Sequence, residues 1–175
     1  VALKTLGIGR GDEVITQCHT FVATVEAILE CGATPVLTEI DATLNMDPAD
    51  LKARINDRTK AIIPVHMLGA PAAMDRIMEI ATAARVLVIE DTAQALGGEF
   101  RGQALGTIGA LGAFSFDHGK AVTTGEAGMV VTNDDTLHNV ASAYHDHGHE
   151  NNPAFSRAHD TRQYGGGFNY RMSEL

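Results

Sequence analysis

Val86-Leu87-Val88-Ile89-Glu90-Asp91-Thr92-Ala93-Gln94 is a short apolar run that ends in two carboxylates, with an amide three residues beyond Asp91. A run this short and this apolar reads as a strand covered on both faces, spanning residues 85–90. The same pattern recurs upstream. Residues 60–65 form a second buried strand, and residues 34–38 a β-branched one with Pro35 near its start. Val14-Ile15-Thr16 is a fourth, after the turn Gly11-Asp12-Glu13. Helical patterns lie between them. Residues 21–31 read as a helix stopped by Gly32. Asp47 and Pro48 are an N-cap and N1 pair that opens a helix to about residue 55. Residues 72–83 carry Ala73, Ile77, Ile80 and Ala81 on one face. Strands that alternate with helices predict an α/β fold, a three-layer αβα sandwich around a mainly parallel mixed sheet.

Downstream the rhythm changes. Residues 97–112 are glycine-rich and read as loop or short irregular strand. Residues 113–116 and 128–132 read as strands, the second free to run antiparallel. Asn133-Asp134-Asp135 caps a helix reaching to about residue 145. Residues 146–167 are polar, with Gly, Asn and Pro, and read as a long loop of the functional or mobile kind. Residues 1–7 resemble the last turns of a helix, and residues 170–175 the start of another. Both ends are therefore expected to cut through elements, and the chain to be an internal piece of a longer protein.

Composition removes several function classes. With 175 residues, 45% apolar and 20% charged, the chain has the make-up of a globular domain with a real core. A net charge of −9 without a basic run argues against a nucleic-acid partner. No apolar stretch reaches membrane-spanning length and no signal peptide is visible, which argues against a membrane and for the cytoplasm. Cys18 and Cys31 show no metal or redox spacing and read as reduced, buried thiols.

A second stretch carries the chemistry. Phe114-Ser115-Phe116-Asp117-His118-Gly119-Lys120 is followed by Thr123-Thr124-Gly125-Glu126. In open α/β sheets ligands bind beyond the carboxyl ends of the strands, where Asp91, Gln94, Ser115 and Lys120 all fall. Alone, Asp91 is a turn or cap residue and Lys120 a solvated surface lysine. Together they suit pyridoxal phosphate, which needs a lysine amine for its aldehyde, an acid for its ring nitrogen, and hydroxyl or amide donors for its phosphate. No G-x-G-x-x-G follows the first strand, so a nicotinamide reading lacks its feature. The run His145-Asp146-His147-Gly148-His149-Glu150 would place three histidines on one face if extended. It lacks zinc spacing, so a polar loop near the substrate entrance is expected and no metal site.

The chain resembles the DegT/DnrJ family of nucleotide-sugar aminotransferases, fold-type-I pyridoxal phosphate enzymes. The resemblance runs over nearly its whole length. It rests on the segments already quoted and on Leu6-Gly7-Ile8-Gly9, Thr20-Phe21-Val22-Ala23-Thr24, Gly32-Ala33-Thr34-Pro35-Val36, Thr59-Lys60-Ala61-Ile62-Ile63-Pro64-Val65-His66 and Gly167-Phe168-Asn169-Tyr170-Arg171-Met172. It implies a large domain over residues 1–175 without the C-terminal small domain. It implies amino transfer from an amino acid, glutamate by resemblance, to a nucleotide-linked keto-sugar, with ping-pong kinetics, in a homodimer. Lys120 would join the cofactor aldehyde and shuttle a proton. Asp91 would pair with the ring nitrogen, Gln94 would bond near the ring hydroxyl, and Ser115 would bind the phosphate. Phe21 would stack on the ring, or else be a core aromatic. Asn169 would reach the phosphate in the partner subunit, or else cap a helix. The family's phosphate-binding Gly-Thr or Ser-Ala segment would fall before Val1. Ala127 stands where a second glycine is usual, and Asp117-His118-Gly119 is a variable spacer. The competing reading is a non-catalytic module that keeps the pocket without the chemistry.

Overall fold

In the computed structural model, which describes residues 1–149 and 166–172, the apolar run ending at Glu90 and Asp91 is a central strand. The elements in chain order are α1 (Ala2–Thr5), β1 (Glu13–Gln17), α2 (Val22–Glu30), β2 (Thr34–Thr38), α3 (Pro48–Arg54), β3 (Thr59–Ile63) and α4 (Met74–Ala84). They continue with β4 (Leu87–Asp91), β5 (Glu99–Phe100), β6 (Gln103–Ala104), β7 (Leu111–Ser115), β8 (Gly128–Val131) and α5 (Asp135–His145). The main sheet has the order β2-β1-β3-β4-β7-β8. Every neighbouring pair is parallel except β7 and β8, which pair antiparallel with Ser115 opposite Gly128.

Strand alternation sorts the core into two layers. Val14, Ala61, Ile63, Ile89 and Leu111 pack with Leu3 of α1 and Ile28 of α2, and Leu137 of α5 leans on the same face. Ile15, Ile62 and Val88 face the other way, onto Leu51 of α3 and Met74, Ile77 and Ala81 of α4. Helices thus cover both faces, and the expected three-layer αβα architecture is what forms.

Several boundaries differ, each for a local reason. The strand expected from residue 85 begins at Leu87. Arg85 instead caps α4 in the left-handed region with φ 58°, and Val86 N–H donates back to Ala81 O at 2.9 Å. Helix α4 starts at Met74, not at residue 72: Ala73 is its N-cap with a non-helical ψ of 66°, and the Ala72 N–H donates to His66 Nδ1 at 3.1 Å. Residues 97–112 hold the hairpin β5–β6, whose turn residues Arg101 (φ 51°) and Gly102 (φ 80°) both carry the positive φ that a tight two-residue hairpin needs. Strand β7 begins two residues early, at Leu111. Residues 170–172 are not helical: Tyr170 N–H donates to His145 O at 2.9 Å, and Asn169 bridges Asp146. Most of the expected loop over 146–167, and the last residues of the expected helix over 170–175, lie outside the described residues. The cysteines are free but not buried, Cys18 being exposed and Cys31 half-buried. Among the described residues, no helix is long and apolar enough to cross a membrane.

Candidate active site

Because the first five strands in spatial order are parallel, the segments after β1, β3, β4 and β7 gather at one edge of the sheet. Asp91 is the last residue of β4 and points toward α2, on the face opposite Glu90. Its Oδ2 accepts from the Thr24 hydroxyl at 2.8 Å and its Oδ1 from Ala93 N–H at 3.1 Å. Thr24 Oγ1 lies 2.9 Å from Thr20 Oγ1. Gln94 accepts from Leu68 N–H through Oε1 at 2.9 Å, which leaves its amide NH2 available. Ser115 ends β7, and its Oγ accepts from Asp117 N–H at 3.4 Å.

Lys120 follows on a turn closed by its own N–H to Asp117 O at 3.0 Å. The segment returns to the sheet through Thr124 N–H to Phe116 O at 3.0 Å and Phe116 N–H to Ala127 O at 2.8 Å. Gly125 takes φ 87°, whereas Ala127 has no positive φ, so the alanine is accommodated without strain. The Lys120 side chain is half-buried, and its ammonium makes no hydrogen bond or ion pair among the described residues.

These side chains line one cleft of about 450 Å3. It is bounded by Thr20, Phe21, Thr24, Val65, Asp91, Gln94, Ser115, Asp117, His118, Lys120 and Glu126. Phe21 is 66% exposed at the N-cap of α2, so it is not a core aromatic, and it lines the cleft. A larger cavity of about 650 Å3 adjoins behind α2. It is mostly apolar, shares Thr24, Asp91 and Ala93 with the cleft, and holds neither Lys120 nor Ser115, so the smaller cleft is the chemically equipped one.

Asn169 is not brought to this cleft. It is exposed, and its Oδ1 accepts from Arg171 N–H at 3.3 Å and Arg171 Nε at 3.0 Å. The histidine run is not extended: His145 is the last residue of α5, and the His147 and His149 rings lie edge to face 6.4 Å apart. His147 and Gly148 turn the chain with φ 56° and 81°, and Glu150 of that run lies outside the described residues. The carboxylate and imidazole atoms of Asp117, His118 and Glu126 lie within 4.8 Å of one another, but His118 and Glu126 are each 85% exposed.

Sequence reasoning missed the support under the cleft. Glu90, fully buried beside Asp91, accepts four hydrogen bonds: His66 Nε2 at 3.0 Å and Gly106 N–H at 2.9 Å on Oε2, Ile108 N–H at 2.6 Å and Gly109 N–H at 2.7 Å on Oε1. His66 Nδ1 is itself an acceptor, from Ala72, so its hydrogen sits on Nε2 and points at Glu90. Burial pushes the Glu90 carboxyl up, but the His66 and backbone donors outweigh it and hold the group below its usual range. The alternation of Glu90 and Asp91 on one strand was the available signal. Thr24 was missed too, although Thr20 and Thr24 are one helical turn apart.

The whole chain, residues 1–175, matches the DegT/DnrJ/EryC1/StrS aminotransferase family. The chain belongs to this family. It is 44% identical over 179 residues to the GDP-perosamine synthase of Caulobacter vibrioides, spanning 100% of this chain and 46% of that protein. The aminotransferase from Psychrobacter cryohalolentis matches with a TM-score of 0.92 at 41% identity, over 98% of this chain and 45% of that one. NtdA of Bacillus subtilis, solved with bound cofactor PMP, matches with a TM-score of 0.87 at 31% identity, over 98% of this chain and 38% of that one. The chain thus spans less than half the length of each of these DegT/DnrJ/EryC1/StrS relatives.

Proposed function

We propose that the protein containing this chain transfers an amino group from an amino acid, glutamate being the expected donor, to a keto-sugar carried on a nucleoside diphosphate. Pyridoxal phosphate would sit in the cleft beyond β1, β3, β4 and β7. The observation that carries this reading is the convergence of Asp91 and Gln94 from the end of β4 with Ser115 and Lys120 from the end of β7, in one cleft that the exposed Phe21 also lines.

The residues present fit that group. The cleft is large enough for a small cofactor. Phe21 offers a flat apolar face, Asp91 an anionic acceptor, Gln94 a spare amide donor, and Ser115 a hydroxyl. When bound there, the cofactor supplies an electron sink for charge developing at the substrate carbon. Lys120 Nζ anchors the cofactor and moves a proton to and from that carbon. Asp91 holds the ring-nitrogen proton by its negative charge. Gln94 orients the ring hydroxyl, Ser115 holds the phosphate, and Phe21 excludes water from one ring face.

Asn169, exposed and outside its own chain's cleft, serves the phosphate of a partner subunit in a homodimer. The name of the GDP-perosamine synthase relative, an amino sugar on a nucleoside diphosphate, supports the acceptor class. The unpaired cysteines agree with a reducing compartment such as the cytoplasm.

The test uses the full-length protein. Amino transfer from glutamate to a panel of nucleotide-linked keto-sugars is expected, with visible absorbance from bound cofactor. Cofactor binding without transfer to any acceptor would favour a non-catalytic module. Failure to bind cofactor would overturn the reading.

A further inference from the structure

Thr24 sits inside a short helix, where a β-branched residue is not favoured, and is only 7% exposed. Its hydroxyl does not turn back onto its own helix. It reaches across to β4 and contacts Asp91 Oδ2 at 2.8 Å, with Thr20 Oγ1 2.9 Å away on the other side. The directions of these bonds follow from donor counts. An ionised carboxylate only accepts, so Thr24 donates to Asp91. Its single proton is then used, so Thr20 donates to Thr24. The chain of donors therefore runs Thr20 to Thr24 to Asp91, and Ala93 N–H holds the other carboxylate oxygen.

The surroundings give this arrangement a purpose. Asp91 lines both the cleft and the larger cavity that adjoins it, and the walls of both are mostly apolar. Without the Thr24 hydroxyl, Oδ2 would be left without that donor among mostly apolar walls, and the carboxylate would gain by rotating. With Thr24 and Ala93 each holding one oxygen, the carboxylate plane is fixed, and Asp91 lines the cleft with acceptor capacity to spare.

We propose that Thr24 is a positioning residue for Asp91, ordered in turn by Thr20, and that the pair keeps the carboxylate aimed at the ring nitrogen of the cofactor. This rests on the reading of the cleft given above.

The test uses the full-length protein loaded with pyridoxal phosphate carrying 15N in the ring. Thr24→Val keeps the shape and removes the donor. It should weaken cofactor affinity by roughly tenfold, the effect of a lost hydrogen bond to a charged group. It should also shift the ring 15N resonance toward the unprotonated position, while circular dichroism stays that of wild type. Thr24→Ser should restore both readouts, and Thr20→Val should move both in the same direction by less. Wild-type affinity and resonance in Thr24→Val would overturn the proposal, as would failure of Thr24→Ser to restore them, which would assign Thr24 to packing. A wild-type protein that takes up no cofactor would overturn the reading of the cleft itself, and this inference with it.

Discussion

Glu90 and Asp91 are adjacent carboxylates with unlike surroundings, because consecutive strand residues face opposite ways. Glu90 is saturated by four donors and has nothing left to offer a ligand. Asp91 is held by two donors and keeps lone pairs for the cleft. Lys120 has no partner among the described residues, so its amine is available to a ligand. In the full-length protein, Lys120→Ala should lower turnover by about 10²–10⁴-fold, the usual contribution of a positioned proton carrier. Borohydride reduction of the wild type should fix the cofactor to Lys120, and peptide mapping that finds it on another lysine would reject the assignment. Asp91→Asn should leave cofactor loading largely intact and cut kcat by at least roughly a hundredfold, as expected when a charged hydrogen bond is lost from the transition state. Wild-type kcat in that variant would remove Asp91 from the chemistry.

At the scale of elements, the cleft depends on how the glycine-rich approach to β7 is tied to β4. The Glu90 carboxylate binds Gly106, Ile108 and Gly109 N–H groups and thereby sets the path by which β7 arrives beside Asp91. In Glu90→Gln, one of the two side-chain positions becomes an NH2. Whichever way the amide turns, that NH2 meets two donors. The variant should lose roughly 1–3 kcal/mol of stability by urea denaturation, the cost of unsatisfied buried groups. A wild-type midpoint would show that the loop is held by other contacts. Gly112, on β7, is packed so closely that a methyl group there would run into the Gly106 carbonyl oxygen. Gly112→Ala should therefore cost about 1–3 kcal/mol by overpacking, read by the same denaturation.

For the whole molecule, the buried Glu90 network links stability to pH. The folded carboxyl titrates below its unfolded value, with burial opposing the shift and the His66 and backbone hydrogen bonds causing it. Stability from this group is therefore fully present above the unfolded pKa, about 4.3. As pH falls through that value the unfolded chain takes up the proton first, and the contribution is lost down to the folded pKa. Unfolding free energy measured from pH 6 to pH 3 should fall more steeply in wild type than in Glu90→Gln. Parallel curves for the two proteins would rule out Glu90 as a source of the acid sensitivity.

What the sequence determined by itself was the alternation of short apolar strands with helices, and hence the αβα sandwich; that β8 pairs antiparallel with β7 was only allowed by the sequence and is set by the fold. The alternation follows from local periodicity, caps such as Asp47 and Asp134, and glycine stops. It also placed Asp91, Gln94, Ser115 and Lys120 past strand ends, since a residue just past a buried strand of a parallel sheet has one edge to occupy. Tertiary structure decided the rest. Phe21 lines the cleft and is exposed, not buried. The carboxylate of Asp91 is fixed by a hydroxyl 67 residues away in sequence, from α2. His66, Glu90 and the glycines before β7 form one network because β3 and β4 lie side by side and Gly106 returns beneath them. Hydrogen bonds between residues so far apart leave no periodic trace in a chain, because only the packed sheet brings their donors and acceptors within reach.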